Sequence, residues 1–167
     1  GLALMDKKSL QQIINHRLEK LKKIKNAGYE PYAYEYKKND HIDDINKKRK
    51  IGKIVNTAGR IISQRKMGKA SFIHIQDNSS KIQVYLKNDL LPNKIYDDIV
   101  RNLDLGDLVG CSGELFLTKT SELSIKADNL MILSKNLRPL PNLKEKEGVS
   151  FNSFEDKELR YRYRHLD

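Results

Sequence analysis

Ala70-Ser71-Phe72-Ile73-His74-Ile75-Gln76-Asp77 and, four residues on, Lys81-Ile82-Gln83-Val84-Tyr85-Leu86 both alternate with period two. Side chains on a β-strand point to opposite faces in turn. If Ile73 and Ile75 fill a core, Phe72, His74 and Gln76 face out. In the second stretch Ile82, Val84 and Leu86 face in, and Gln83 and Tyr85 face out. An outward ring beside an outward amide, flanked by Arg65, Lys66 and Lys69, suits an unpaired nucleobase: the ring stacks, the amide reads an edge, the cations meet phosphates. A one-residue slip would bury Phe72, His74 and Gln76 together and expose two isoleucines, which is costly.

Working outward from these strands, the pattern predicts β-strands at Ile54–Arg65, Ala70–Gln76, Lys81–Leu86, Leu108–Leu117 and Leu123–Leu133. A helix is expected over Asn93–Asn102, just after Pro92, which suits a first helical turn. Gly59 and Gly113 fall inside strands, where glycine marks a sharp bend of a small barrel. Five strands with a helix between the third and fourth is the pattern of an OB-fold, which binds through strands 2 and 3 and the loops joining 1–2 and 4–5. Arg65-Lys66-Met67-Gly68-Lys69 is the first of those loops and Thr118-Lys119-Thr120-Ser121 the second. The fold class is therefore mainly β with α: a five-stranded OB-fold barrel with an N-terminal amphipathic helix and a second helix between strands 3 and 4.

The charge is uneven. The 167 residues carry a net +10, yet residues 54–134 hold 10 Lys/Arg against 9 Asp/Glu, while residues 1–53 hold 14 against 7. A basic arm on a neutral barrel suggests a polyanion partner that drapes across both. In the arm, Ser9 and Gln12 have capping-box spacing, and Leu10, Ile13, Ile14, Leu18, Leu21 and Ile24 recur at helical intervals. Gly28 closes the pattern. That predicts a helix over Ser9–Ala27, with Arg17, Lys20, Lys22 and Lys23 as candidate phosphate contacts. Tyr29-Glu30-Pro31-Tyr32 is an extended or turn segment, and Asp40–Lys50 is a short helix or a connection. Three divisions follow: 1–53, the basic helix and its connection; 54–135, the barrel; 136–167, a polar linker and a closing segment.

Other chemistries find little support. Cys111, the single cysteine, alternates inward with Val109 and Leu115 and reads as a core residue. The four histidines show no metal-ligand spacing, and no Ser, His or Cys constellation suggests nucleophilic catalysis. No apolar run is long enough to span a membrane.

The string MGKASFIHIQD (Met67–Asp77), with KIQVYL (Lys81–Leu86) and TKTSELSI (Thr118–Ile125), resembles the anticodon-binding domain of class II lysyl-tRNA synthetases. HRLEKLKKIKNAGYEPY (His16–Tyr32), RPLP (Arg138–Pro141) and DKELRYRYRHLD (Asp156–Asp167) extend the likeness in the same order. By that resemblance Phe72 stacks on the central uridine of the lysine anticodon, Gln83 hydrogen-bonds the same base, Arg65 supports it and Glu122 reads a neighbouring uridine. Glu122 also faces out by alternation, since Leu123, Ile125 and Ala127 turn inward. Lys69, His74 and Lys119 complete the candidate RNA-binding set. The pattern departs at Ser121, where glycine is usual, at Ala33 for proline, and at Tyr163 and His165. Arg160, Arg162 and Arg164 alternate with Tyr161 and Tyr163, but on a helix they spread around the axis, so they read as joining domains.

The resemblance implies a fragment without catalytic residues, ending where a catalytic domain begins. The whole protein is then expected to be a cytoplasmic homodimer using ATP and Mg²⁺, with the tRNA(Lys) anticodon stem-loop as partner. Three other readings stay open: an aspartyl- or asparaginyl-tRNA synthetase domain, which shares recognition of a central uridine; a free-standing OB-fold protein binding single strands; and a purely protein-binding barrel.

Overall fold

The computed structural model describes residues 2–31 and 36–139. The chain runs α1 (Leu2–Asn26), α2 (Ile42–Lys48), β1 (Ile54–Met67), β2 (Ala70–Gln76), β3 (Lys81–Lys87), α3 (Ile95–Asp98), a 3₁₀ turn (Val100–Asn102), β4 (Leu108–Leu117) and β5 (Leu123–Ser134). The five strands close into a barrel in the order β1-β2-β3-β5-β4. All pairings are antiparallel except β3 with β5. The core is aliphatic: Ile73, Ile75, Ile82, Val84, Leu86, Leu115, Ile125 and Ile132 are all buried. Cys111 lies among them, and burial, with Asp128 adding to it, pushes its thiol up to about 12.

Strand positions follow the alternation closely, with two local departures that matter. In β1 the pairing with β2 skips Ile62: Ile61 opposes Ile75, but Ser63 opposes His74. This bulge buries both Ile61 and Ile62 and re-phases the strand, so Ser63 and Arg65 emerge on the outer face. The second departure is at Gly113, where β4 and β5 slip register. A Cβ there would sit on the Lys126 carbonyl oxygen, so only glycine allows the two backbones this close.

The helices differ more from expectation. α1 begins at Leu2, not Ser9; Leu2-Ala3-Leu4-Met5 contains strong helix formers, and Ser9 lies within the helix rather than capping it. Its end is as read from the sequence. Gly28 has φ +100°, the Gly28 N–H donates to Lys25 O and the Tyr29 N–H to Ile24 O, the paired bonds of a Schellman motif. The helix line facing the barrel is Ile14, Arg17, Leu21 and Ile24, whereas Ile13 and Leu18 are exposed. Asp40–Lys50 does contain a helix, α2, anchored by Asp77. That carboxylate accepts from the Ile42 N–H (3.1 Å), Lys38 Nζ (2.9 Å), and the N–H groups of Ser79 and Ser80. α3 spans a single turn before the 3₁₀ turn, shorter than the helix expected there.

α3 nevertheless shapes the outer face. Tyr96, 2% exposed, places its hydroxyl 2.8 Å from Ser71 Oγ and donates to Gly68 O at 3.0 Å. That pins the β1–β2 turn, where Gly68 has φ +66°, immediately ahead of Phe72. Tyr32, Ala33 and the stretch from Leu140 onward, including the linker and the Asp156–Asp167 segment, lie outside the described residues. No described helix is long and apolar enough to cross a membrane.

Candidate nucleic-acid interface

Two register rows cross the outer face of the barrel side by side. The first joins Ser63 (β1), His74 (β2), Gln83 (β3) and Ser124 (β5). The second, two residues along each strand, joins Arg65, Phe72, Tyr85 and Lys126. Paired residues on neighbouring strands share a face, so each row is a line of neighbouring side chains. The first is polar and the second aromatic with a cation at each end.

In the aromatic row Phe72 is half-buried and packs on Tyr85, ring centroids 4.9 Å apart. The Arg65 guanidinium lies 5.1 Å from the Phe72 centroid. Phe72 therefore sits where the alternation placed it, outside a core that holds Ile73 and Ile75. Arg65 reaches it only because of the bulge at Ile62, a step invisible in the periodicity.

The polar row departs from expectation in its degree of closure. Gln83 points outward but is only 8% exposed, and its Nε2 donates to Ser124 Oγ at 3.1 Å. Flanking on both sides, by β2 and by the parallel β5, covers it. The bond commits the amide nitrogen and leaves the carbonyl as the acceptor for an incoming N–H. His74 is held at both ring nitrogens. Its Nδ1 lies 2.8 Å from Ser63 Oγ and its Nε2 lies 2.7 Å from Glu122 Oε2. The Glu122 side chain stays 43% exposed, so it keeps acceptor capacity toward solvent.

The β4–β5 loop holds Glu122 from behind. The Thr118 N–H donates to Glu122 O, and the Glu122 N–H to Thr118 Oγ1. Ser121 adopts φ +64°, the left-handed region glycine favours. Lys69 and Lys119 are exposed at the two loops that frame the rows.

Two of the four candidate phosphate contacts on α1 are a correction. Arg17 is 8% exposed and donates to the carbonyls of Leu105 (3.2 Å) and Asn136 (3.1 Å). Lys20 pairs with Asp104 at 2.8 Å. Both were expected to face phosphate; both instead fasten α1 to the barrel. The partner carboxylate is shared with Lys135, which contacts Asp104 at 2.6 Å and Asp107 at 2.7 Å. Burial works against ionising Asp104, but Lys135 and Lys20 outweigh it and hold the carboxyl below its usual value. Asp107, fully enclosed, is pushed up by burial, with Lys135 opposing. Lys22 and Lys23 remain exposed on the far side of α1.

Comparison with known proteins agrees with this geometry. Residues 55–133 match the OB-fold nucleic acid binding domain of the tRNA anticodon type. The matched residues are those of the barrel. Across nearly the whole chain the similarity is to lysine–tRNA ligases: 41% identity to that of Azobacteroides pseudotrichonymphae, over 90% of this chain, and 37% to that of Fusobacterium nucleatum, over 97%. The chain spans about a third of the length of these curated relatives, 32% in each case. The likeness drawn from Met67–Asp77 and Thr118–Ile125 thus points to the same proteins.

Proposed function

We propose that the chain reads the anticodon of tRNA(Lys), as the anticodon-binding part of a lysine–tRNA ligase. The observation that carries this reading is Phe72: an aromatic ring on the outside of an aliphatic barrel, under a guanidinium and beside the acceptors of Gln83 and Glu122. Phe72 stacks on the central base, a contact of about 1–3 kcal/mol that any base can make. Identity comes from the acceptors. The Gln83 carbonyl takes the N3–H of uracil, which cytosine lacks, for about 1 kcal/mol net. Glu122 does the same for a neighbouring uridine. Arg65, Lys69 and Lys119 supply phosphate contacts without reading sequence, with Lys22 and Lys23 extending that surface along α1.

The activity of the whole ligase, joining lysine to tRNA with ATP and Mg²⁺, belongs to the same proposal, as do its dimeric state and cytoplasmic location. Among the described residues no group of His, Cys, Asp or Glu is arranged to hold a metal ion. Stacking, base reading and phosphate contact all fall to the chain's own side chains.

The test is a panel of anticodon stem-loops titrated against the chain at fixed salt. UUU binds tightest, and replacing the central uridine costs most. A preference that follows the central base but reverses at the first and third would favour an aspartate- or asparagine-type domain. Equal affinity for every loop would leave only a sequence-indifferent OB barrel.

A further inference from the structure

The ring contacts continue past Tyr85 onto β4, where Phe116 opposes Ser124 of the polar row in register and stands diagonal to Lys126. Phe116, outward and half-buried on β4, lies 6.1 Å from Tyr85 between ring centroids. Lys126 Nζ stands 5.3 Å from the Phe116 centroid. A cation therefore stands over the ring at each end of this chain of rings: Arg65 over Phe72 at 5.1 Å, Lys126 over Phe116 at 5.3 Å, and Tyr85 between the two rings.

Packing alone does not account for this second pair. The barrel interior is filled by isoleucine, valine and leucine, with Leu115 and Ile125, the neighbours of Phe116 and Lys126, fully buried beneath. Phe116 is a large ring on the outside of that shell. Lys126 is exposed, and among the described residues it has no ion pair, although Glu114 opposes it in register. Asp128, two residues on, is held by Ser112 Oγ at 2.6 Å. A cation set against a ring face rather than a carboxylate is available to a phosphate, and the ring beside it to a base.

We infer that Tyr85, Phe116 and Lys126 form a second stacking site, which takes the nucleotide adjacent to the one on Phe72 in the same RNA strand. The base lies against Phe116 and the edge of Tyr85, and Lys126 meets its phosphate. The inference rests on the reading of this face as an RNA surface. It adds that two adjacent bases of the loop are held by rings, at opposite ends of one chain of ring contacts through Tyr85.

The experiment scans abasic nucleotides through the loop of a UUU anticodon stem-loop and measures affinity for wild type, Phe72→Ala, Phe116→Leu and Phe116→Trp. Leucine keeps an apolar side chain on the strand but removes the ring. On the intact loop Phe116→Leu binds roughly tenfold more weakly, and Phe116→Trp restores binding. The Phe116→Leu penalty disappears on one abasic loop, whose missing base neighbours the one that cancels the Phe72→Ala penalty. Wild-type affinity for Phe116→Leu, a penalty equal on every abasic loop, or cancellation at the same nucleotide as Phe72 would each overturn the second site. Lys126→Gln reports separately: the slope of log affinity against log salt falls by about 0.7, the share of one phosphate on a single strand. An unchanged slope contradicts the phosphate contact. If Phe72→Ala itself binds as wild type on the intact loop, the RNA reading of the whole face falls, and this site with it.

Discussion

Two parts of the molecule gather cations, and they use them in opposite ways. Beneath α1, Lys135 and Asp107 are 1% and 0% exposed, and Lys20 and Arg17 each bond to groups of the protein itself. On the outer face of the barrel, Arg65 and Lys126 are exposed and rest on aromatic rings. Basic composition alone marks both as candidates for a polyanion. Partner count separates them: a buried lysine between two carboxylates is already neutralised, whereas one over a ring keeps its field for a ligand.

If the first region is a structural clamp, breaking it damages the fold and spares recognition. Lys135→Ala leaves buried Asp107 without its cation and half-buried Asp104 with Lys20 alone. Chemical denaturation is expected to show a loss of about 3–5 kcal/mol. The relative affinities for UUU and for loops changed at one base stay as in wild type. A shift in base preference without loss of stability would erase the distinction between the two regions.

Acid titration sharpens the same division. Asp104 is held below its ordinary value in the folded chain, so its stabilising contribution is present above the unfolded value near 3.9 and is lost as pH falls through the folded one. Denaturation midpoints measured from pH 7 down to pH 3 therefore decline at the acid end. Asp104→Asn lowers the midpoint at neutral pH and flattens that acid limb. A limb as steep in the variant as in wild type would mean that Asp104 does not contribute to it.

The smallest effect belongs to the exposed side of α1. Replacing Lys22 and Lys23 with glutamine reduces the salt dependence of RNA binding by about one phosphate per lysine and leaves uridine preference intact. Altered base discrimination in that variant would give the helix a reading role, which otherwise belongs to the barrel alone.

How much of this was legible in the sequence depends on the range of the forces involved. Alternation placed Ile73, Ile75, Ile82 and Val84 inside and Phe72 outside, because a strand's two faces are a local property. The Schellman ending at Gly28 was local as well. What escaped was set by contacts across the fold. Arg17 sits in the buried line of α1 because the carbonyls of Leu105 and Asn136, far along the chain, meet it there. Gln83 closes over because β3 runs parallel to β5, and the bridge from Ser63 through His74 to Glu122 unites three separate segments. The bulge at Ile62 leaves no signature in composition, yet it decides which side of the sheet Arg65 occupies. Phe116 could have been found, since Cys111, Gly113 and Leu115 alternate inward beside it.

The most direct measurement is a double-mutant cycle between Phe72 and the central base of the anticodon. Affinities are compared for wild type and Phe72→Ala, each with a UUU stem-loop and with the same loop made abasic at its middle position. The expected coupling is about 1–3 kcal/mol, with the ring worth nothing once its base is gone. A Phe72→Ala penalty of the same size on both loops would show that the ring supports the barrel surface and does not hold that base.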